Sequence, residues 1–169
     1  MAEGGPKHNR RTPAPARAEI PCDADLVKRA QGELPYVTDA LELLLLRYNS
    51  LLYRTCRRIL GNDTDAEDAT QETMIKVFHH LKGFEGRSSF KTWFFRIAHN
   101  VCYTRYQQRV QQERTLADYG HAAGLTTEQN MAALDVDRLL ARLSALDREV
   151  LTLRFVADLN IEEIADVLG

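Results

Sequence analysis

The chain has 169 residues, of which 44% are hydrophobic and 27% charged: enough apolar material for a packed core in one domain or two small ones. Its net charge of −2 argues against a general nucleic-acid coat. The apolar run at residues 43–46 is followed at once by Arg47, far short of the roughly 18 residues a transmembrane helix needs.

Residues 1–22 are rich in Pro, Ala and Arg, lack an apolar stretch of the secretory kind, and read as a disordered basic tail. The three cysteines, Cys22, Cys56 and Cys102, form no CxxC pair and fit small core hydrophobes in a reducing compartment. A short helix is expected over residues 25–30. Leu41, Leu44, Leu45, Tyr48, Leu51, Leu52, Cys56, Ile59 and Leu60 then recur at helical spacing. Gly61 suits the residue after that helix, with Arg57 and Arg58 placed to meet the helix dipole. The next helix opens among the acids at 63–65, runs through Ala69, Met74, Val77, Phe78 and Leu81, and stops at Gly83. Ser88 or Ser89 can cap a further helix carrying Trp93, Ile97, Val101 and Tyr106 to about Arg114.

Periodicity fades over residues 115–133, where Gly120, Gly124, Thr126 and Thr127 mark a flexible linker. A second helical unit follows at 134–169, starting with an apolar stripe of Leu139, Leu140 and Leu143. Ser144 or Asp147 begins a helix with Val150, Leu151, Arg154 and Phe155. Asn160 and Glu163 have capping-box spacing, and Ile161, Ile164, Ala165 and Leu168 share one face of the last helix. The predicted fold class is all-α, two small helical domains joined by the linker.

Residues 84–100 hold the densest chemistry. Five of the thirteen aromatic residues lie at 84–95, with Arg87, Lys91 and Arg96 among them. Residues 84–114 carry six Lys or Arg against two Glu, whereas residues 115–169 carry four Arg against ten acids. Rings interleaved with cations fit single-stranded nucleic acid, whose bases stack on aromatic faces at roughly 1–3 kcal/mol each. The competing reading is a helix start whose rings are core. Trp93, Phe94 and Phe95 span about 200° of helix and cannot all face one way, so Phe94 or Phe95 is assigned to the core and Trp93 to the working face.

On the acidic helix, Asp65 and Asp68, and Asp68 and Glu72, share faces at i, i+3 and i, i+4. Three readings stand: a solvated face, a docking face for a basic partner, and a metal site disfavoured by the missing histidines. His79 and His80 diverge by about 100°, and His99 with Cys102 has no further ligand near in sequence. No nucleophile elbow, Walker loop or dinucleotide fingerprint is present, so no enzyme, no metal, no cofactor and no small-molecule substrate are expected.

In order, an acidic helix, an aromatic-basic loop and helix, a linker and the front of a helix-turn-helix resemble bacterial extracytoplasmic-function sigma factors of the sigma-70 superfamily, over about residues 23–169. The carrying residues are DAED-x-x-QE, then F-x-G-x-S-x-F-x-TW-x-x-x-IA-x-N, then LSALDREVLTLRFVADLNIEEIADVLG. The entry and ending look like the SigX type. The resemblance implies a region 2 at 23–114, which binds core polymerase and recognises and melts the promoter −10 element, and a partial region 4 at 134–169. It implies that Asp65, Asp68, Gln71, Glu72 and Lys76 dock on the β′ clamp helices of core RNA polymerase, with the β flap as a further candidate contact. Phe84, Arg87, Ser88, Phe90, Lys91, Trp93, Arg96 and Asn100 would meet the non-template single strand at −10. The protein would work in the cytoplasm, or held at the inner membrane by an anti-sigma factor. A recognition helix would follow Gly169 in the family pattern, so the chain is expected to be truncated and not to read −35. The alternative function is an interaction protein that holds core polymerase or an anti-sigma factor without productive promoter recognition. Ile164 and Leu168, without that helix, are expected to be exposed and residues 134–169 marginal alone.

Overall fold

The computed structural model describes residues 21–118 and 143–169, with side chains to residue 115 in the first segment. Helix α1 (Asp23–Glu33) starts on two acids and buries Leu26, Val27 and Ala30. It stops because Leu34 precedes Pro35 and takes an extended conformation. It is longer at both ends than the spacing predicts, since its outer residues are polar and carry no periodic signal. Pro21, expected in a free tail, accepts a hydrogen bond of 2.8 Å from Arg47 at its carbonyl.

Helix α2 (Asp39–Leu60) buries Ala40, Leu41, Leu44, Tyr48, Leu52, Thr55, Cys56 and Leu60 along one stripe. Each fully buried leucine contributes about 1.5–3 kcal/mol. Gly61 ends the helix in the left-handed region at φ 85°, as predicted, and its N–H reaches Arg57 O at 2.9 Å. Helix α3 (Asp63–His80) is capped by Asn62, whose Oδ1 accepts from Asp65 N at 2.8 Å. Its buried face is Ala66, Ala69, Thr70, Thr73 and Val77, mostly small side chains that let α2 approach closely. Thr70 and Thr73 satisfy their buried hydroxyls by donating to Ala66 O and Ala69 O, both at 2.7 Å. A 3₁₀ turn (Leu81–Gly83) carries the chain into the loop before helix α4 (Phe90–Asp118).

Helix α4 runs into the stretch expected to be linker. The remainder of that linker and the Leu139–Leu140 stripe lie outside the described residues, as do residues 1–20 of the tail; Leu143 is exposed. Helix α5 (Ala145–Phe155) is capped by Ser144, which accepts from Asp147 N at 3.1 Å. Helix α6 (Ile161–Leu168) has the predicted capping box, with Asn160 and Glu163 bonded reciprocally at 2.9 Å.

The last two helices are not left bare. Helix α5 packs on α2 and α6 on α4, and Leu153, Ala157, Leu159, Ile164 and Val167 join the same core as α1–α4. This corrects the expectation for Ile164 and Leu168: the first is 7% exposed and the second half-buried. The seam is rotated toward Val167 and away from Ile161, which is 81% exposed. Among the described residues the structure is wholly helical, and no helix is long and apolar enough to cross a membrane.

Candidate nucleic-acid interface

The loop of residues 84–89 is built by local devices and one long-range tie. Gly86 takes φ 71°, a conformation that disfavours any residue with a Cβ. Ser89, rather than Ser88, caps α4: its Oγ accepts from Thr92 N at 3.0 Å. From α1, Gln31 Nε2 donates to Leu81 O at 2.9 Å and to Phe84 O at 2.7 Å, fixing the start of the loop. Arg87 extends into solvent beside Glu85 at 2.5 Å.

The rings form a ladder from this loop to the core. Phe84 lies 4.9 Å from Trp93 and 6.2 Å from Phe90, edge-on to the latter. Phe90 in turn meets Phe94 at 5.7 Å and Tyr48 at 5.8 Å. Phe94 and Phe95 are fully buried, as one of them had to be, whereas Phe84 and Trp93 are half-buried. Phe90, expected to meet DNA, is 5% exposed, and its ring packs between Tyr48 and Phe94. Burial, and then the hydrogen bond it donates to Asp23, push the Tyr48 hydroxyl far above its usual range, so it remains a donor. Arg47 holds the same carboxylate, locking α1 to α2.

Between α1 and the loop lies an open cleft of about 440 Å³, inside the roughly 300–1,000 Å³ usual for small-ligand pockets. Phe84, Phe90 and Val27 give it an apolar floor, and Ser88, Gln31 and Lys28 supply polar groups. The contribution of α1 is invisible to sequence spacing, because Lys28 and Gln31 reach the cleft only through tertiary packing. Trp93 and Asn100, seven apart on α4, share a face, and Asn100 is exposed. Lys91 and Arg96, expected to meet the single strand, donate here to Asp158 O at 2.7 Å and to Asp166 O.

The acidic residues of α3 form a separate surface, braced from α4. Arg105 bridges Asp68 at 3.3 Å and Glu72 at 3.1 Å, and Arg109 approaches Asp65 at 3.8 Å. Lys76 pairs with Glu72 at 3.0 Å. Partial burial pushes the Glu72 carboxyl up, but the hydrogen bonds from Lys76 and Arg105 outweigh it and leave it below the usual carboxylate range. Gln71 is exposed on the same helix. These acids are therefore neither a purely solvated face nor a wholly free docking face. Among the described residues no group of three His, Cys, Asp or Glu is placed to hold a metal. His99 is committed to Glu149 at 2.5 Å, and Cys56 and Cys102 are buried together, with a thiol–thiol hydrogen bond that pushes Cys102 up.

Residues 44–111 match the family model for sigma-70 region 2, and residues 133–169 match that for sigma-70 region 4. The chain is 30% identical to the ECF RNA polymerase sigma-E factor of Haemophilus influenzae over 167 residues, covering 89% of this chain and 86% of that protein. Among solved structures it is similar to CnrH in complex with the cytosolic domain of CnrY, at a TM-score of 0.64 and 26% identity, over 87% of this chain and 82% of that one. The sigma factor RpoE from Bartonella quintana, in complex with the anti-sigma factor NepR, gives a TM-score of 0.62 and 25% identity over 79% and 84%.

Proposed function

This chain belongs to the extracytoplasmic-function family of RNA polymerase sigma factors, and we propose that its 84–100 segment captures the non-template strand of a melted −10 element. It is a transcription initiation factor and not an enzyme. The observation that carries the finer reading is the ring ladder opening into a cleft with a polar rim. A base leaving the helical stack costs a few kcal/mol, so the protein must offer a replacement surface and hydrogen bonds to the base edge. Phe84 and Trp93 supply partly exposed rings, while Ser88, Gln31 and Asn100 supply donors and acceptors. Phe90, Phe94 and Phe95 stiffen that platform from beneath. Arg87 and Lys28 flank it as phosphate ligands, with Lys91 and Arg96 once their present partners release them.

Core polymerase binds, on this reading, through the outward side of α3. Gln71 and the half-exposed edges of Asp65, Asp68 and Glu72 face the β′ clamp helices, while Arg105 keeps the acids in register. The anti-sigma complex of RpoE supports a similar class of partner for this chain, and a factor that binds core polymerase would act in the cytoplasm. The test uses holoenzyme assembled from the full chain and a promoter with a fluorescent base analogue in the non-template −10 strand. Trp93→Ala is expected to lower open-complex formation about 5- to 150-fold, the loss of one stacked base, with core binding in gel filtration retained. Equal loss of both activities would return Trp93 to a packing role.

A further inference from the structure

Two free thiols meet inside the bundle, away from both candidate surfaces. Cys56 of α2 and Cys102 of α4 are fully buried, and neither is in a disulfide. Two contacts bracket the α2–α4 seam that holds them: the Tyr48 and Phe94 rings at 5.4 Å, and Arg109 Nη1 donating to Leu60 O at 3.1 Å. Cys56 lies eight residues after Tyr48 and Cys102 eight after Phe94, so both sit about 12 Å further along the seam. At that shared level Cys102 donates a hydrogen bond to the Cys56 sulfur, and Thr70 of α3 borders the pair on a third side. A single buried cysteine packs as a small hydrophobe, but two that meet sulfur to sulfur also make a two-electron redox couple.

We propose that Cys56 and Cys102 are a peroxide-oxidisable dithiol, a modification site that closes to a disulfide and pins α2 to α4. The two thiols have unequal tasks. The hydrogen bond from Cys102 holds the Cys56 thiol below its usual range against the burial that pushes it up, so Cys56 ionises first and is the nucleophile. Its sulfur attacks one oxygen of hydrogen peroxide: the S–O bond forms, the O–O bond breaks, and the departing hydroxide takes up the Cys56 proton as water. Cys102 is held protonated chiefly by its bond to Cys56, then by burial. Once Cys56 is a neutral sulfenic acid, the first of these causes is gone. Cys102 then attacks the sulfenic sulfur: the S–S bond forms, the S–O bond breaks, and hydroxide leaves with the Cys102 proton as a second water. The two sulfurs thus give two electrons to one peroxide. Burial alone makes a thiol inert, and what distinguishes this pair is a second sulfur already in place. Hydrogen peroxide is small and uncharged, and local opening of the helices admits it, so closure is slower than oxidation of the exposed Cys22.

The test uses the full chain carrying Cys22→Ser, which removes the exposed thiol and leaves the buried pair. After treatment with hydrogen peroxide the intact mass should fall by two hydrogen atoms, with no second chain attached. A non-reducing peptide map should join the Cys56 and Cys102 peptides, and dithiothreitol should separate them again. Closing a loop of this length should raise the melting midpoint by about 5–15 °C over that of the reduced chain. Adding Cys102→Ser should instead leave a sulfenic acid at Cys56 that a cyclic 1,3-diketone captures, whereas adding Cys56→Ser should leave Cys102 unreacted. Should either serine variant fail to fold, the map and the melting of the Cys22→Ser chain decide alone. Two thiols still free after peroxide, counted by alkylation in denaturant, overturn the proposal. So does oxygen added to one sulfur in place of the S–S bond. A disulfide that lowers the midpoint also overturns it, because such a bond closes only in an opened chain whose native sulfurs stand apart.

Discussion

Gln31→Ala isolates the tie that holds the loop of residues 84–89. The amide of Gln31 is the α1 donor to two carbonyls, Leu81 O and Phe84 O, some 50 residues further along the chain. Each such bond is worth about 0.5–1.5 kcal/mol net where water can partly replace it, so the pair anchors the loop by about 1–3 kcal/mol. That corresponds to about a 5- to 150-fold shift toward conformations in which Phe84 has left its seat on Trp93. The 3.0 Å bond from Phe84 N to Leu81 O belongs to the same turn, so its amide reports the release. Hydrogen exchange on the free chain should accelerate at residues 84–88 and stay unchanged in α2 and α3. In holoenzyme the same variant should weaken capture of the −10 strand while leaving core polymerase binding intact, because the α3 acids are braced independently by Arg105. Unaltered exchange at Phe84, or acceleration spread evenly over α1–α4, would refute the reasoning: the first would mean the bonds are idle, the second that Gln31 supports the whole bundle.

Two further outcomes follow from the packing and the ion pairs. Phe94→Ala, at a fully buried site, should cost about 3–5 kcal/mol of stability, read as a large drop in midpoint in chemical denaturation, whereas Phe84→Ala should cost clearly less. Because the folded-state pKa of Glu72 lies below its ordinary 4.5, its carboxylate stabilises the fold above that pH, and the contribution fades as pH falls through the depressed value. The stability gap between the chain and Glu72→Gln should therefore be constant at neutral pH and close under acid. A gap that widened on acidification would contradict the Arg105 and Lys76 pairing.

What was legible in the sequence was local. Gly61 after Leu60, the Asn160–Glu163 capping box and the division of labour between Trp93 and Phe94 each follow from geometry within a turn or two of helix. The family pattern added the α3 acids and the 84–100 segment as two separate candidate surfaces. What stayed hidden depends on pairs distant in the chain. Nothing near Phe90 announces that Tyr48 closes over it, and nothing in α3 announces that Arg105 will arrive from α4. The docking of α6 was misread for the same reason: a stripe of Ile161, Ile164 and Leu168 gives the apolar face, but only the neighbour decides which edge of it is covered. Short α1 was underestimated because its polar ends obey no period, yet those ends hold Asp23 and Gln31, which tie it to α2 and the loop.

The ring ladder also has an optical consequence. Trp93 is the only tryptophan in the chain, and the fold seats it at the junction of loop and helix, against Phe84 and beside the cleft. Indole absorbs to the red of phenylalanine and tyrosine, so light at that edge excites one residue and reports one place. The protein thus carries a native fluorophore on the platform proposed for base stacking, and its emission would report a strand captured there without any added label.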